Sequence, residues 1–280
     1  QISWEVDIEN IFNKVIDILS ITTKKIKSKG IDPESILITS QANTFLAVDK
    51  NLNALTPCIL WIDNRAFEES KLLNKNFPFF SEWSGICKIM PTHYIAKLLW
   101  LKNHKPNIFY KSLYFPLINE YFALKLTGKY YSEYSNRGMS GILDIKNCTI
   151  YEDLLRFIGL RNNSQPNIFP ACKKGYRINQ EYAKKIGLKE NVLVLLTGND
   201  QSSSAIGAGV DKPGKVSVTF GTTQTLYTLI EDFQNNINKP MTKGEVYGRS
   251  PFPEYFFHLK HEQNCGLLLK KVKEEYFNEC

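Results

Sequence analysis

Residues 192–210 read VLVLLTGNDQSSSAIGAGV, and this stretch decides the fold class. Its first six residues form a continuous apolar run, which is typical of a buried parallel strand. Very small side chains follow, and they predict a helix over residues 201–209 that approaches its neighbours closely. The acid between strand and helix is Asp200. The pattern predicts an α/β protein with a carboxylate at a strand-to-helix turn.

Two interpretations of Asp200 are open from the residues alone. A carboxylate just before a helix often caps it by accepting the backbone N–H of residue 202 or 203. Alternatively, Asp200 is a general base that accepts the proton of a substrate hydroxyl. The small residues that follow suit both interpretations, because each requires a closely packed helix.

A second motif, TFGTTQT, joins strands predicted at residues 215–220 and 224–230. Gly221, Thr222 and Thr223 could form a concave turn whose consecutive N–H groups bind a phosphate. An ordinary hairpin turn with a glycine at positive φ is the alternative. An acid at one strand end and an anion-binding turn between the next two strands would suit phosphoryl transfer, which depends mainly on positioning and charge stabilisation.

Hydrophobic periodicity predicts the other elements. They are a helix over 7–29 ended by Gly30, strands over 35–39, 44–49 and 58–63, a helix from Arg65, a helical segment over 94–126 stopped by Gly128, a helix over 150–160, and a domain boundary at 187–191.

Polar side chains gather at three further predicted turns. They are Gln41, Asn43 and Thr44; Asp63, Asn64 and Arg65; and Tyr134, Ser135, Asn136 and Arg137. The first two groups suit recognition of a polyol's hydroxyls, and the third lies in a predicted functional loop. The alternatives are turn chemistry with a helix cap at Asp63 or Asn64, and a solvated turn for the third group.

Composition excludes several classes of function. The 280 residues carry a net charge of +7 with 43% hydrophobic residues, and the lysines are scattered, so we expect a solvated surface and no nucleic-acid partner. No apolar run is long enough for a membrane helix, and QISWEVDIEN lacks a signal-peptide pattern. The six cysteines form no C-x-x-C pair, so we expect free thiols, no zinc site and a cytoplasmic protein.

Several segments, taken in order, resemble the FGGY carbohydrate kinase family, which includes xylulokinase, gluconokinase, ribulokinase and glycerol kinase. The segments are SQANTFLAVDKNLNALTPCILWIDNRA, AKLLWLKNHKPNIF, LTGKYYSEYSNRGMSGILDIKN and IGLKENVLVLLTGNDQSSSAIGAGVDKPGKVSVTFGTTQTL. The resemblance runs over nearly the whole chain.

The resemblance implies a ribonuclease H-like, actin-like ATPase fold with two domains and a cleft between them. Residues 1–187 would form the sugar-binding domain, and residues 188–280 would begin the nucleotide-binding domain. The implied cofactors are ATP and Mg²⁺, and the implied partner is a small-molecule sugar or polyol. A homodimer would also be compatible with the sequence.

The resemblance also implies the roles of individual residues. Asp200 matches the catalytic base, and Gly221, Thr222 and Thr223 match a phosphate-binding turn. The implied substrate-binding residues are Gln41, Ala42, Asn43, Trp100, Tyr134 and Gln201, of which Trp100 aligns with an aromatic that lines the glycerol site.

The sequence also departs from the family. Glycerol kinases carry Arg-Glu and xylulokinases Met-His where Ala42 and Asn43 stand, which argues against both substrates. The family's first phosphate turn, Asp-x-Gly-Thr, and its adenosine motif are not in the chain, so we expect a first domain that lacks its first strand hairpin and a second domain that is incomplete. Two alternatives to an active kinase are a non-catalytic sugar-binding pseudokinase and an actin-like scaffold ATPase, and the second leaves the sugar-side segments unexplained.

Overall fold

The computed structural model describes residues 3–220, 223–233, 241–263 and 265–277. Its helices, numbered in chain order, are α1 Ile8–Lys27, α2 Phe67–Asn76, α3 Phe80–Ser84, α4 Tyr94–His104, α5 Pro106–Lys111, α6 Ile118–Thr127, α7 Tyr134–Met139, α8 Glu152–Ile158, α9 Gln180–Ile186, α10 Asp200–Gly207 and α11 Cys265–Tyr276. Its strands are β1 Glu5–Val6, β2 Ser35–Ser40, β3 Cys58–Ile59, β4 Tyr131–Glu133, β5 Leu143–Asp144, β6 Thr149–Ile150, β7 Asn167–Phe169, β8 Gly175–Arg177, β9 Leu193–Asn199, β10 Val216–Phe220, β11 Thr223–Ile230, β12 Glu245–Arg249 and β13 Phe256–Gln263.

A three-stranded sheet in the order β2–β9–β8 contains the stretch that predicted the fold class. β9 runs parallel to β2, so the predicted parallel strand is confirmed, and β8 pairs antiparallel on its other edge. The strand is buried on one face rather than two. Val194 and Leu196 pack against α1, α6 and α9, whereas Leu193 is 39% exposed.

The first predicted helix is α1, and it is confirmed within two residues at each end. Asp7 caps it by accepting the backbone N–H groups of Glu9 and Asn10 at 3.0 and 3.2 Å. Its apolar face contributes Phe12 and Ile16 to the core under the β2–β9–β8 sheet. Burial of that face, more than helix propensity, stabilises such a helix.

Two predicted strands are wrong in extent. Residues 44–49 form isolated bridges, from Phe45 to Ile59 and Leu117 and from Val48 to Ala54 and Tyr114. The predicted strand over 58–63 shrinks to β3, which pairs with β1. The apolar pattern was correct about burial, but each short segment pairs with a different partner, so no continuous ladder forms.

The helical segment predicted over 94–126 is confirmed as three helices. Pro106 begins α5 at a position where a missing N–H costs nothing. Gly128 ends α6 in the left-handed conformation at φ 69°, as expected for a C-terminal glycine. None of the helices in the described residues is long and apolar enough to cross a membrane.

A second sheet, in the order β10–β11–β13–β12, is antiparallel throughout. The two strands predicted around GTT are confirmed as β10 and β11, which pair antiparallel. The second sheet packs directly on the preceding chain, because Tyr247 N–H donates to Gly85 O at 2.7 Å and Arg249 donates to Ile145 O at 2.7 Å.

The predicted boundary at residues 187–191 falls just before β9. Because β9 pairs with β2, it belongs to the same sheet as the earlier chain. This pairing favours a boundary after α10, where the antiparallel sheet begins, and the division at 187 and 188 stays a prediction.

Candidate active site

The carboxyl ends of β2 and β9 bring two of the predicted site segments together. Ser40 pairs with Asn199 in the parallel register, so Gln41 and Asp200 follow side by side at the same sheet edge. Thr39 Oγ1 strengthens this edge by donating to Gly198 O at 2.9 Å, and it also lies within hydrogen-bond distance of the Ser203 hydroxyl, at 3.0 Å. Ligands of α/β proteins commonly bind at such an edge.

Asp200 is the first residue of α10, and its neighbour provides the cap. Asn199 Oδ1 accepts the Ser202 N–H at 2.9 Å. A side chain therefore caps the helix at this turn, as predicted, but it is the side chain of Asn199 and not that of Asp200. Asp200 Oδ1 accepts the Gln201 N–H at 2.9 Å. Among the described residues no cation pairs with the carboxylate, and its donors are the backbone N–H groups of Gln201 and of Asp200 itself. A carboxylate has about four acceptor sites, so this one can still accept a hydrogen bond from a ligand.

The environment of Asp200 makes its carboxyl a better base than a free aspartate. Desolvation by surrounding protein raises the pKa of Asp200, although the residue is exposed to solvent, and the N–H groups of Gln201 and Asp200 oppose this shift. A raised pKa strengthens a carboxylate as a proton acceptor near neutral pH. The geometry is that of an exposed carboxylate at the end of a parallel strand.

The turn after β2 is rigid. Asn43 has φ 59°, and its side chain accepts the Tyr94 N–H at 2.9 Å and donates to Met139 O at 3.2 Å. Gln41 Nε2 donates to Thr44 Oγ1 at 2.9 Å. Asn43 therefore orients the turn, whereas the side-chain oxygen of Gln41, Oε1, accepts no hydrogen bond from the described residues; the backbone oxygen of Gln41 accepts the Ser40 hydroxyl at 3.2 Å. Ala42 lies between them at the apex.

Lys97 on α4 anchors the same turn from below, and sequence reasoning missed it. The side chain is fully buried, and Nζ donates to Asn43 O at 2.7 Å and to Leu60 O at 2.8 Å. Burial lowers the pKa of Lys97 to about 7, while Asp63 and Cys58 raise it and Arg65 lowers it further. A single lysine in the apolar stretch AKLLWL was the available signal.

We expect Lys97→Met to flatten the pH dependence of stability above neutral pH. The folded-state pKa of Lys97 lies below its usual 10.5, so between about pH 7 and 10 the unfolded chain binds more protons. The wild-type free energy of unfolding should rise across that window, and the variant should lack this rise. Urea unfolding at pH 6 to 10 measures it, with the exposed Lys71→Met as control. Parallel curves for wild type and Lys97→Met would contradict the assignment.

The loop predicted around Tyr134 is a buried helix, so the solvated-turn interpretation is wrong. Glu133 caps α7 through the N–H groups of Ser135 and Asn136. α7 also spans the candidate site, because Ser135 Oγ accepts the Asn199 N–H at 3.3 Å and Asn136 Nδ2 donates to Ser40 Oγ at 3.4 Å. Tyr134 opens this helix, is partly exposed, and packs against the apolar cluster of Leu143, Ile145, Phe233 and Tyr247.

The predicted polyol-binding group at Asp63 and Arg65 forms a buried ion pair instead. Arg65 donates to both oxygens of Asp63, at 2.9 and 2.7 Å, and also contacts Glu5 at 2.7 Å. The predicted cap at Asp63 or Asn64 is wrong, because α2 begins after Ala66 and has no side-chain cap.

The structure does not bring Trp100 to the sheet edge. Its ring stacks on His104 and lies 4.8 Å from the Arg65 guanidinium, six residues along α4 from Tyr94. Six residues of helix span about 9 Å.

Gln201 follows Asp200 directly. Gly221 and Thr222 lie outside the described residues, and Thr223 begins β11. The proposed roles of all these residues stay predictions.

These features define a class of protein: an α/β chain with a carboxylate at a sheet edge and an antiparallel sheet beside it. Solved structures with the same fold include gluconate kinase from Lactobacillus acidophilus, at TM-score 0.85 and 23% identity over 98% of this chain and 55% of that one. Plasmodium falciparum glycerol kinase with ADP also matches at TM-score 0.85, with 19% identity over 98% of this chain and 56% of that one. The fold class is therefore the actin-like ATPase fold that the resemblance implied.

The sequence profile of the FGGY family of carbohydrate kinases, N-terminal domain, matches residues 2–207, and the chain belongs to this family. Gluconokinase of Bacillus subtilis is 26% identical over 96% of this chain and 51% of its own length. Xylulose kinase of Staphylococcus xylosus is 25% identical over 74% of this chain and 44% of its own length. The chain thus spans about half the length of the curated relatives it matches.

Proposed function

We propose that the native protein containing this chain phosphorylates a hydroxyl of a sugar or polyol with ATP, and that Asp200 is the general base. The observation that carries the proposal is the division of roles at the start of α10. Asn199 caps the helix, which leaves the carboxylate of Asp200 with acceptor capacity for a ligand beside the turn at Gln41. Family membership and the relatives named gluconokinase and xylulose kinase support the reaction type.

The proposed mechanism assigns the proton to Asp200. In this mechanism a substrate hydroxyl lies between the Asp200 carboxylate and Gln41, with Gln201 and Tyr134 at the border. As the hydroxyl oxygen bonds to the γ-phosphorus, its proton passes to Asp200, and the bond from that phosphorus to the bridging oxygen of ADP breaks. A carboxylate held rigidly at a helix start accepts this proton without reorganisation.

The residues at this edge fit a magnesium ion that arrives with its nucleotide. Mg²⁺ in such sites is commonly bound by one or two carboxylates, waters and substrate phosphates. Asp200 presents one carboxylate, and in the part of the chain that is described no group of three or more His, Cys, Asp or Glu side chains forms a metal cage. Mg²⁺ would supply charge neutralisation at the phosphates.

The proposal is tested by direct detection of product. Gluconate, xylulose, ribulose and glycerol are each incubated with ATP and the native protein, and sugar phosphate is measured by phosphorus NMR. We expect one of these acceptors to yield a phosphate monoester with matching ADP release. ATP hydrolysis without a phosphorylated acceptor, or no turnover with any acceptor, would contradict the proposal. No observation favours the non-catalytic alternative, and the cytoplasmic location and homodimer stay predictions.

A further inference from the structure

A buried carboxylate, Glu133, lies behind the candidate site and touches none of the reacting groups of the proposed reaction. Glu133 is 1% exposed, and no cation in the described residues lies within ion-pair distance of it. Its partners are three donors on α7. Oε2 accepts the Ser135 N–H at 2.7 Å and the Ser135 Oγ–H at 2.8 Å, and Oε1 accepts the Asn136 N–H at 2.7 Å. Burial of an uncompensated charge is costly, so this arrangement calls for an explanation.

The contacts continue from Glu133 to the residue that precedes Asp200. Ser135 Oγ donates its hydrogen to Glu133, which leaves a lone pair that accepts the Asn199 N–H at 3.3 Å. The charge on Glu133 therefore fixes the orientation of this hydroxyl. Asn199 then caps α10 with its own side chain. The result is a continuous path of hydrogen bonds from a buried charge to the backbone that carries the proposed base.

The glycine at position 198 makes this path possible. Gly198 has φ 126°, which side-chain-bearing residues rarely adopt. A Cβ there would lie 3.0 Å from Ser135 Oγ and 3.1 Å from Pro251 Cγ. A side chain at position 198 would therefore crowd the Ser135 hydroxyl. The backbone that lies close to the Ser135 hydroxyl is that of Gly198, two residues before Asp200.

We propose that Glu133 and Ser135 are positioning residues that hold Asn199, and through it the carboxylate of Asp200, in the geometry for proton transfer. This inference deepens the proposed function and rests on it. Glu133 touches no reacting atom; it acts through Ser135 and the Asn199 amide.

The carboxyl group of Glu133 can accept all three hydrogen bonds without competition only when it is ionised. The groups that face it are Glu120 on α6, the Cys172 thiol between β7 and β8, and Tyr227 on β11. Burial raises the pKa of Glu133 to about 7; the three donors lower it, and Glu120 raises it. Below that pH a proton on the carboxyl would compete with one donor. The path is therefore expected to be complete above neutral pH and weakened below it.

The first test observes the path without any turnover. Amide ¹⁵N and ¹H shifts of Ser135, Asn136 and Asn199 are followed from pH 5 to 9 in the 280-residue chain. We expect a shared titration with a midpoint near 7, which disappears in Glu133→Gln but persists in Glu69→Gln, a buried glutamate on α2. Loss of the Asn199 titration alone in Ser135→Ala would confirm the hydroxyl link. A flat Asn199 shift in the wild type would overturn the proposal.

The second test separates this inference from the proposed function. In the native protein we expect Ser135→Ala and Glu133→Gln to lower kcat about 10- to 100-fold with little change in KM, because misplacement of a catalytic group has effects of this size. Glu133→Asp, which keeps the charge and can cap, should recover much of the loss. Unchanged kcat in Ser135→Ala, with Asp200→Asn inactive, would overturn the positioning role alone. Full activity of Asp200→Asn would overturn the proposed base and the positioning role together.

Discussion

Asp200→Asn is expected to lower kcat about 10²- to 10⁴-fold, which is the usual contribution of a general base. KM for the sugar should change little, because asparagine can still hydrogen-bond the hydroxyl but cannot take its proton. The wild-type acidic limb of kcat/KM should lie above the usual range of aspartate, since burial raises the pKa of Asp200. Initial rates over a pH series measure both effects.

The structure gives this prediction a sharp control. Because Asn199 caps α10, Asp200→Asn should leave the free energy of unfolding within about 0.5 kcal/mol of wild type. Asn199→Ala should lose about 1 kcal/mol, the typical contribution of an N-cap. Asp211→Asn, at an exposed carboxylate paired with Lys215 at 2.7 Å, should leave kcat unchanged. Loss of stability with unchanged kcat in Asp200→Asn would contradict the proposed base and show that Asp200 has a structural role.

Arg137→Met is expected to lower the free energy of unfolding by about 3–5 kcal/mol, because it leaves a buried carboxylate unpaired. The Arg137 side chain is 0% exposed, and it donates to Glu120 at 3.4 Å and to Gln165 at 3.2 Å. Its guanidinium also lies 4.9 Å from the Tyr94 ring. Urea unfolding at neutral pH measures the loss.

A double variant distinguishes the broken pair from simple loss of packing. Replacing both partners, as Arg137→Met with Glu120→Gln, should recover much of the stability, since glutamine removes the unpaired buried charge and can still hydrogen-bond the Leu117 N–H and the Ser132 hydroxyl. Arg156→Met removes an exposed pair with Asp153 and should cost at most about 1 kcal/mol. Equal losses for Arg137→Met and Arg156→Met would contradict the account.

The sequence predicted the elements whose signals are local. α1 has a continuous apolar face, β9 an uninterrupted apolar run, and α6 a terminal glycine, and each was placed within a few residues. The strand predicted over residues 44–49 is wrong in extent, because an apolar strand pattern does not reveal which segments the strand pairs with. Phe45 and Val48 pair with four different residues, none of which continues a ladder.

The errors around the candidate site have physical causes that lie elsewhere in the chain. Asn199 and Asp200 are both good caps, and the choice between them depends on the extended backbone at Asn199, where φ is −72° and ψ is 162°. The segment SNRG is typical of a solvated turn, yet α7 is buried because Glu120 compensates Arg137. The adjacency of Gln41 and Asp200 depends on a parallel register that no local pattern encodes.

The most direct test of the central claim is a crystal structure of the native protein with the acceptor identified by product formation. We expect the oxygen of one sugar hydroxyl to lie within about 2.6–3.2 Å of an Asp200 carboxylate oxygen, which is hydrogen-bond distance for a general base. Gln41 should contact the same sugar, and Asn199 should still cap α10. A sugar bound away from the ends of β2 and β9, or one whose hydroxyls all point away from Asp200, would contradict the account.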